Sequence, residues 1–206
     1  MNNLPFILAS GSPRRQEFLT SLGIQFKVIL PDIDEVELPY EKPADCVRRL
    51  SREKAQNVAL QLNDIPSIVL AADTVIAFSS KDQPSNENIL SKPLDLFHAR
   101  EMLKNLRSTP HKVITGVTLI ETGSFPIQLT KAVLTTVYMR NYSDQEIEDY
   151  VATEDPFDKA GGYAIQDKKF NPVEHIEGSY SNVVGLPIET VVEMLRSIGF
   201  SVDIKE

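Results

Sequence analysis

Apolar positions cluster from the first residues of the chain. Residues 4–10, LPFILAS, are mostly apolar and predict a short buried strand. Ser12-Pro13 then opens a helix, with Ser as N-cap and Pro at the first helical position. Phe18, Leu19 and Leu22 give it an apolar side, and Gly23 ends it. Residues 24–30, IQFKVIL, alternate like a strand, whereas 31–42 are acidic and carry prolines, so they read as a loop. A long amphipathic helix spans 44–62. Residues 67–78, SIVLAADTVIAF, are too apolar for an edge and predict a central strand. The polar stretch 79–88 is an exposed loop, followed by a helix at about 95–106. Residues 112–120 and 129–140 are two strands of a hairpin. Ser143 and Glu146 have capping-box spacing for a helix to about 152. A loop at 153–162, a short strand YAIQ at 163–166, and a last helix starting at Pro187 follow. Val191, Val192, Leu195 and Ile198 form the inward side of that helix, and 200–204 add a strand. Strands and helices that alternate before a hairpin predict an α/β domain: a mixed sheet with helices on both faces. Ligands of such sheets bind beyond the carboxyl ends of the strands.

Composition narrows the function. The 206 residues carry 21 Lys and Arg against 29 Asp and Glu, a net charge of −8. A nucleic-acid binder is usually basic, so that class is disfavoured. An anionic small molecule requires basic residues that converge locally against the global sign. The single cysteine, Cys46, excludes an internal disulfide and a four-cysteine zinc site. The N-terminal apolar run is too short for a signal peptide and has no basic lead. No window approaches the ~20 apolar residues that span a bilayer. A reducing, cytoplasmic setting is the expectation.

Several residues break local rules. Arg14 and Arg15 occupy the first turn of the first helix, where the dipole disfavours cations by ~0.3–1 kcal/mol each. With the preceding Ser-Gly-Ser turn they suit a phosphate, or they are simply solvated beside an ordinary N-cap. There is no Walker A loop. Val47, Leu50, Lys54 and Val58 share one helical stripe, which puts Lys54 on an apolar face. For an ordinary lysine, the stem covers core and the ammonium reaches water. Asp73 and Thr74 interrupt the central strand, and a carboxylate there costs several kcal/mol unless paired or metal-bound. Asp32, Asp34 and Glu35 offer oxygen ligands for a hard cation, or form a solvated acidic loop. The stretch 154–162 mixes carboxylates, Lys159 and glycines, as binding loops and plain turns both do. His98, His111 and His175 make no zinc-hydrolase motif, and Cys46 has no evident base, so covalent catalysis has little support. The residues alone therefore point to phosphoryl or nucleotidyl chemistry.

The segments LASGSPRRQEFL, SREKA, AADTVI, SKP, HKVITGVTL, DPFDKAGGYAIQ and IEGSYSNVVGLP, in this order, resemble the Maf family of nucleoside triphosphate pyrophosphatases. The likeness runs from about residue 6 to residue 198. It implies a three-layer α/β/α fold with a central mixed twisted sheet, similar to that of the inosine triphosphate pyrophosphatases. It implies a single domain over 1–206, with room for two lobes around a central cleft. It further implies cleavage of a nucleoside triphosphate to monophosphate and pyrophosphate with Mg²⁺ or Mn²⁺, and often a homodimer. Ser10, Arg14 and Arg15 match the phosphate-contacting positions. Lys54 and Lys92 match the lysines of the REKA and KP motifs, which neutralise phosphate charge. Asp73 matches the catalytic proton acceptor, and Asp73 with Glu35 are the candidate metal ligands. Arg15, Thr74 and Gln166 match the trio of the dTTP/UTP branch; a glutamine amide presents both a donor and an acceptor to a pyrimidine edge. The alternatives are a pyrophosphatase for 7-methyl-GTP and a non-catalytic nucleotide-binding regulator of cell division. Three departures stand out: Glu154-Asp155 at the entry to the 154–162 loop, Asp167 where the family has Gly, and an insertion before Ser91-Lys92-Pro93.

Overall fold

The computed structural model describes residues 4–63, 65–79 and 87–202. In chain order the elements are β1 (Phe6–Leu8), α1 (Pro13–Ser21), β2 (Lys27–Val28), α2 (Pro43–Gln61), β3 (Ile68–Ser79) and β4 (Glu87–Leu90). Then come α3 (Leu96–Leu106), β5 (Pro110–Glu121), β6 (Ile127–Met139), α4 (Asp144–Val151), β7 (Val173–Glu177), α5 (Tyr180–Val184) and α6 (Ile188–Ser197). The strands form a seven-stranded sheet in the order β2-β1-β3-β5-β6-β7, with β4 also on β3. β1 is parallel to β2 and to β3, whereas β4 runs antiparallel to β3 and β7 to β6, so the sheet is mixed. The chain divides into two compact units: Met1–Asp73 with Thr115–Val133 and Gly185–Glu206, and Thr74–Ile114 with Leu134–Val184.

The first unit shows strand alternation directly. Phe6, Leu8, Ile68, Leu70, Ala72, Val117 and Leu119 pack on one face with Leu19 and Leu22 of α1 and Val191, Val192 and Leu195 of α6. Ile7, Ala9, Val69, Ala71 and Ile120 pack on the other face with Ala55 and Val58 of α2. Helices therefore cover both faces, as the α/β reading requires. Both α1 and α6 end in the same glycine device. Gly23 (φ 71°) donates to Thr20 and Ile24 to Leu19; Gly199 (φ 76°) donates to Arg196 and Phe200 to Leu195. In the second unit Ile76, Phe78, Val113, Val137 and Met139 pack with Leu103 of α3 and with Ile147 and Val151 of α4. The Ser143–Glu146 capping box forms as expected.

Some expectations are corrected. Only Lys27–Val28 of the 24–30 run pairs as a strand. YAIQ at 163–166 is not a strand; it leads into turns, with Tyr163 buried. The outer strand there is β7, whose side chains are exposed or half-exposed and so carry no apolar alternation. α5 was not anticipated. Its Asn182 donates to Val113 O (3.1 Å) and Thr135 Oγ1 (2.9 Å), tying α5 to β5 and β6. β4 begins inside the expected 79–88 loop, most of which lies outside the described residues. Residues 200–202 form no strand, and 203–204 lie outside the described residues.

Candidate functional site

Asp73 sits mid-strand in β3, on the face that carries Val69 and Ala71 and meets α2. Its neighbour there is Lys54, on the buried stripe of α2 with Val47, Leu50 and Val58. The expected path of Lys54 to water is not taken. Its side chain is 7% exposed, and Nζ donates to Asp73 Oδ1 at 2.6 Å and to Glu35 Oε2 at 2.7 Å. Two carboxylates compensate the buried ammonium, and the ammonium compensates Asp73, itself 6% exposed. Glu35 comes from the 31–42 loop and is half-exposed, so the group faces solvent on one side.

Close packing sets the height of Lys54 over the sheet. A Cβ on Gly116 of β5 would lie 2.1 Å from the Val47 carbonyl oxygen, so only glycine lets α2 approach this closely. Ser51, one turn before Lys54, meets Thr118 at 3.0 Å, and Thr118 meets Thr130 at 3.0 Å. These hydroxyls satisfy one another inside the layer.

Ser10, Arg14 and Arg15 gather at the start of α1. Ser12 holds the N-cap position, but its side chain makes no cap bond. Ser10 Oγ instead accepts from the Ser12 amide (3.2 Å) and from Arg15 Nη1 (3.1 Å). Arg15 Nε donates to Gly185 O at 2.8 Å. Burial holds the Arg15 guanidinium below its ordinary pKa; Asp73 and Glu35 pull it back up, and Arg14 lowers it further. An arginine so placed remains charged. The first unit thus brings Ser10, Arg15, Lys54, Asp73 and Glu35 into one electrostatic neighbourhood, with Arg14 beside them.

Thr74, Lys92 and Gln166 fall in the second unit. Thr74 follows Asp73 along β3. Lys92 is exposed in the Ser91-Lys92-Pro93 segment, and the Gly161 amide donates to Ser91 O at 3.1 Å, so that segment and the 159–162 loop are joined. Gly161 has φ 66°, and a Cβ there would meet Ile76 Cδ1 at 2.7 Å. Gln166 is exposed on the turn after Tyr163. The departures from the family pattern have local explanations. Asp167 Oδ1 accepts from the amides of Lys169 (2.9 Å) and Phe170 (2.8 Å), and Asn171 supplies a positive φ of 42°. Glu154 takes φ 65°, a conformation ordinarily left to glycine.

Cys46 is a buried thiol pushed up to about 12 by burial, then by the Glu41 and Asp73 charges, so no thiolate is available. Asp32 and Asp34 do not join the Lys54 group: the Asp32 backbone is held by Asn57, and Asp34 makes no ion pair among the described residues. No group of three or more His, Cys, Asp or Glu side chains is placed to hold a metal among the described residues. Three interactions escape sequence reasoning: Arg49 with Glu41, Asn57 with Asp32, and His111 with Tyr163. The four-residue spacing of Arg49 and Glu53 signals their own ion pair and none of these three.

Residues 5–198 match the family described as Maf-like protein. A dTTP/UTP pyrophosphatase of Geobacter sp. (strain M21) is 45% identical over 97% of this chain and 98% of its own. One from Salinibacter ruber is 45% identical over 94% and 90%, and one from Acetivibrio thermocellus 40% identical over 95% and 96%. Among solved structures, a HAM1 protein from Coxiella burnetii aligns with 94% of this chain and 99% of its own, with a TM-score of 0.48 and 14% identity.

Proposed function

The chain belongs to the Maf family, and from that premise we propose that it hydrolyses dTTP and UTP to the monophosphate and pyrophosphate. The observation that carries this is the Asp73–Lys54–Glu35 group, buried at Asp73 and Lys54 and open at Glu35, beside the arginine-bearing start of α1. Its chemistry suits an anionic substrate and a cation together. The relatives named dTTP/UTP pyrophosphatase support the choice of substrate.

Asp73 and Glu35 are the residues that would hold Mg²⁺ or Mn²⁺. The fit rests on Lys54: two carboxylates already converge on one positive centre, within hydrogen-bond reach of each. Two carboxylates suit a hard cation that keeps waters and phosphate oxygens as its other ligands. When bound, such a cation neutralises triphosphate charge and polarises the phosphoryl oxygens. The chain's own residues do the rest. Asp73 accepts a proton from the water that attacks the α-phosphorus. Arg14, Arg15, Ser10 and the N-terminal amides of α1 bind the phosphates. Lys54 orients Asp73 through its hydrogen bond to Oδ1, and with Lys92 it offsets charge on the leaving pyrophosphate. Arg15, Thr74 and Gln166 are the residues that select the pyrimidine. Catalysis is then mainly positioning and electrostatic stabilisation.

The test is pyrophosphate release with Mg²⁺ or Mn²⁺ from dTTP, UTP, CTP, dGTP, ITP and 7-methyl-GTP, with Asp73→Asn as control. Wild type is expected to favour dTTP and UTP, and the variant to lose ~10²–10⁴-fold in rate, the usual contribution of a general base. Preference for 7-methyl-GTP overturns the selector trio and keeps the chemistry. Binding of dTTP without release from any nucleotide indicates a nucleotide-binding regulator instead.

A further inference from the structure

We propose that Arg49 and Asn57 are positioning residues that register the 31–42 loop along α2 and thereby fix Glu35 beside Asp73. Among the described residues, no backbone–backbone hydrogen bond ties 31–37 to any other segment. Side chains of α2 do so instead. Asn57 Nδ2 donates to Asp32 O and Asn57 Oδ1 accepts from the Asp32 amide, both at 3.0 Å. Arg49 Nη2 donates to Val36 O at 2.9 Å, one residue past Glu35. The same guanidinium grips Glu41 with Nε (2.8 Å) and Nη2 (2.7 Å), and Nη1 reaches Glu53 (3.2 Å).

The contacts are ordered. From 49 through 54 to 57 along the helix, the loop partners run from 36 through 35 to 32. The loop therefore lies antiparallel to α2, pinned on both sides of Glu35. Arg49 and Glu41 are not a solvated surface pair. Their side chains are 16% and 12% exposed, and the contact is a two-pronged fork that lysine cannot reproduce. Glu35, by contrast, is 56% exposed. Its direction is set by Lys54 and by where the loop backbone is held. The roles of Glu35 and Asp73 toward a cation belong to the function proposed above, and this inference rests on that reading.

The experiment uses the whole protein with Arg49→Lys, Asn57→Ala and Glu35→Gln, and each of the first two combined with the third. Two quantities are read: the Mn²⁺ dissociation constant of the nucleotide-free protein, and the Mn²⁺ concentration for half-maximal pyrophosphate release from dTTP. Thermal unfolding confirms that each variant folds. Each single variant is expected to raise both quantities about tenfold or more, as outer partners of metal ligands do. On the Glu35→Gln background, neither substitution is expected to add a further change. Effects that multiply in the double variants, or single variants that bind Mn²⁺ like wild type, overturn the proposal. Arg49→Lys keeps the charge and Asn57→Ala removes only a half-buried amide, so at least one variant reports on a folded chain. If wild type releases no pyrophosphate, the proposed function falls, and the Mn²⁺ constants alone decide the positioning role. If wild type releases pyrophosphate but binds no Mn²⁺, the function stands and the positioning role falls.

Discussion

His111 shows what a single buried side chain contributes outside the chemistry. It is 3% exposed on β5, and its Nε2 lies 2.6 Å from the Tyr163 hydroxyl, while Nδ1 meets no hydrogen-bond geometry among the described residues. Burial lowers its pKa from 6.5 to about 4, opposed by a backbone contact with Thr109. The unfolded chain therefore takes up a proton between those values that the folded chain refuses. Stability from this source is complete above about pH 6.5, falls as the pH drops toward about 4, and changes no further below. The full span is worth about 3 kcal/mol. His111→Gln keeps a polar partner for Tyr163 and removes the titration. Urea unfolding at pH 7.5 and pH 4.5 is expected to show a steeper loss for wild type than for the variant. Equal losses would remove His111 as the acid-sensitive group. This histidine was not legible as a partner of Tyr163, because 52 residues separate them and the stretch between them gives no shared pattern. Asp73 was legible because an ionisable side chain in a run as apolar as SIVLAADTVIAF demands a compensating partner. The identity of that partner was half legible: Lys54 stood out on its stripe, yet its pairing depends on how α2 lies over the sheet.

At the scale of elements, that placement depends on Gly116. The clash it avoids is with the Val47 carbonyl, part of a helix backbone that cannot rotate away as a side chain would. Gly116→Ala forces α2 off β5 and strains the Ser51–Thr118 contact, and it changes the height of Lys54 over Asp73. The expected loss is about 3 kcal/mol in urea unfolding, at the upper end of overpacking costs. A loss under about 1 kcal/mol would show that α2 can slide without cost and that Gly116 does not fix the site. Long periodic elements such as α2, and the central strand β3, were legible because their burial pattern repeats over 19 and 12 residues. β7 was not, since among the described residues it pairs with β6 alone and its residues face solvent enough to lose the alternation. YAIQ misled for the opposite reason. Tyr163 is buried because it meets His111 from a loop, which imitates the apolar start of a strand.

Across the whole molecule, net charge and local charge argue in opposite directions. The chain carries −8 overall, yet Arg15 and Lys54 both act on Asp73 and Glu35, with Arg14 acting on Arg15. A nucleotide presents its negative charge at one end and needs only that local patch. Duplex DNA presents about one charge per ~1.7 Å and gains affinity only by neutralising many phosphates at once. Most of the surface would meet such a polymer with like charge, and beyond the ~10 Å screening length at 0.1 M salt the patch cannot offset it. The protein is therefore expected to leave a 30-base-pair duplex unretarded at ~50 mM salt, where electrostatic attraction is strongest, while dTTP is still turned over. Retardation that fades as salt is raised toward ~200 mM would reveal a basic face, and would turn the reading from a small-molecule enzyme to one that also engages a polyanion.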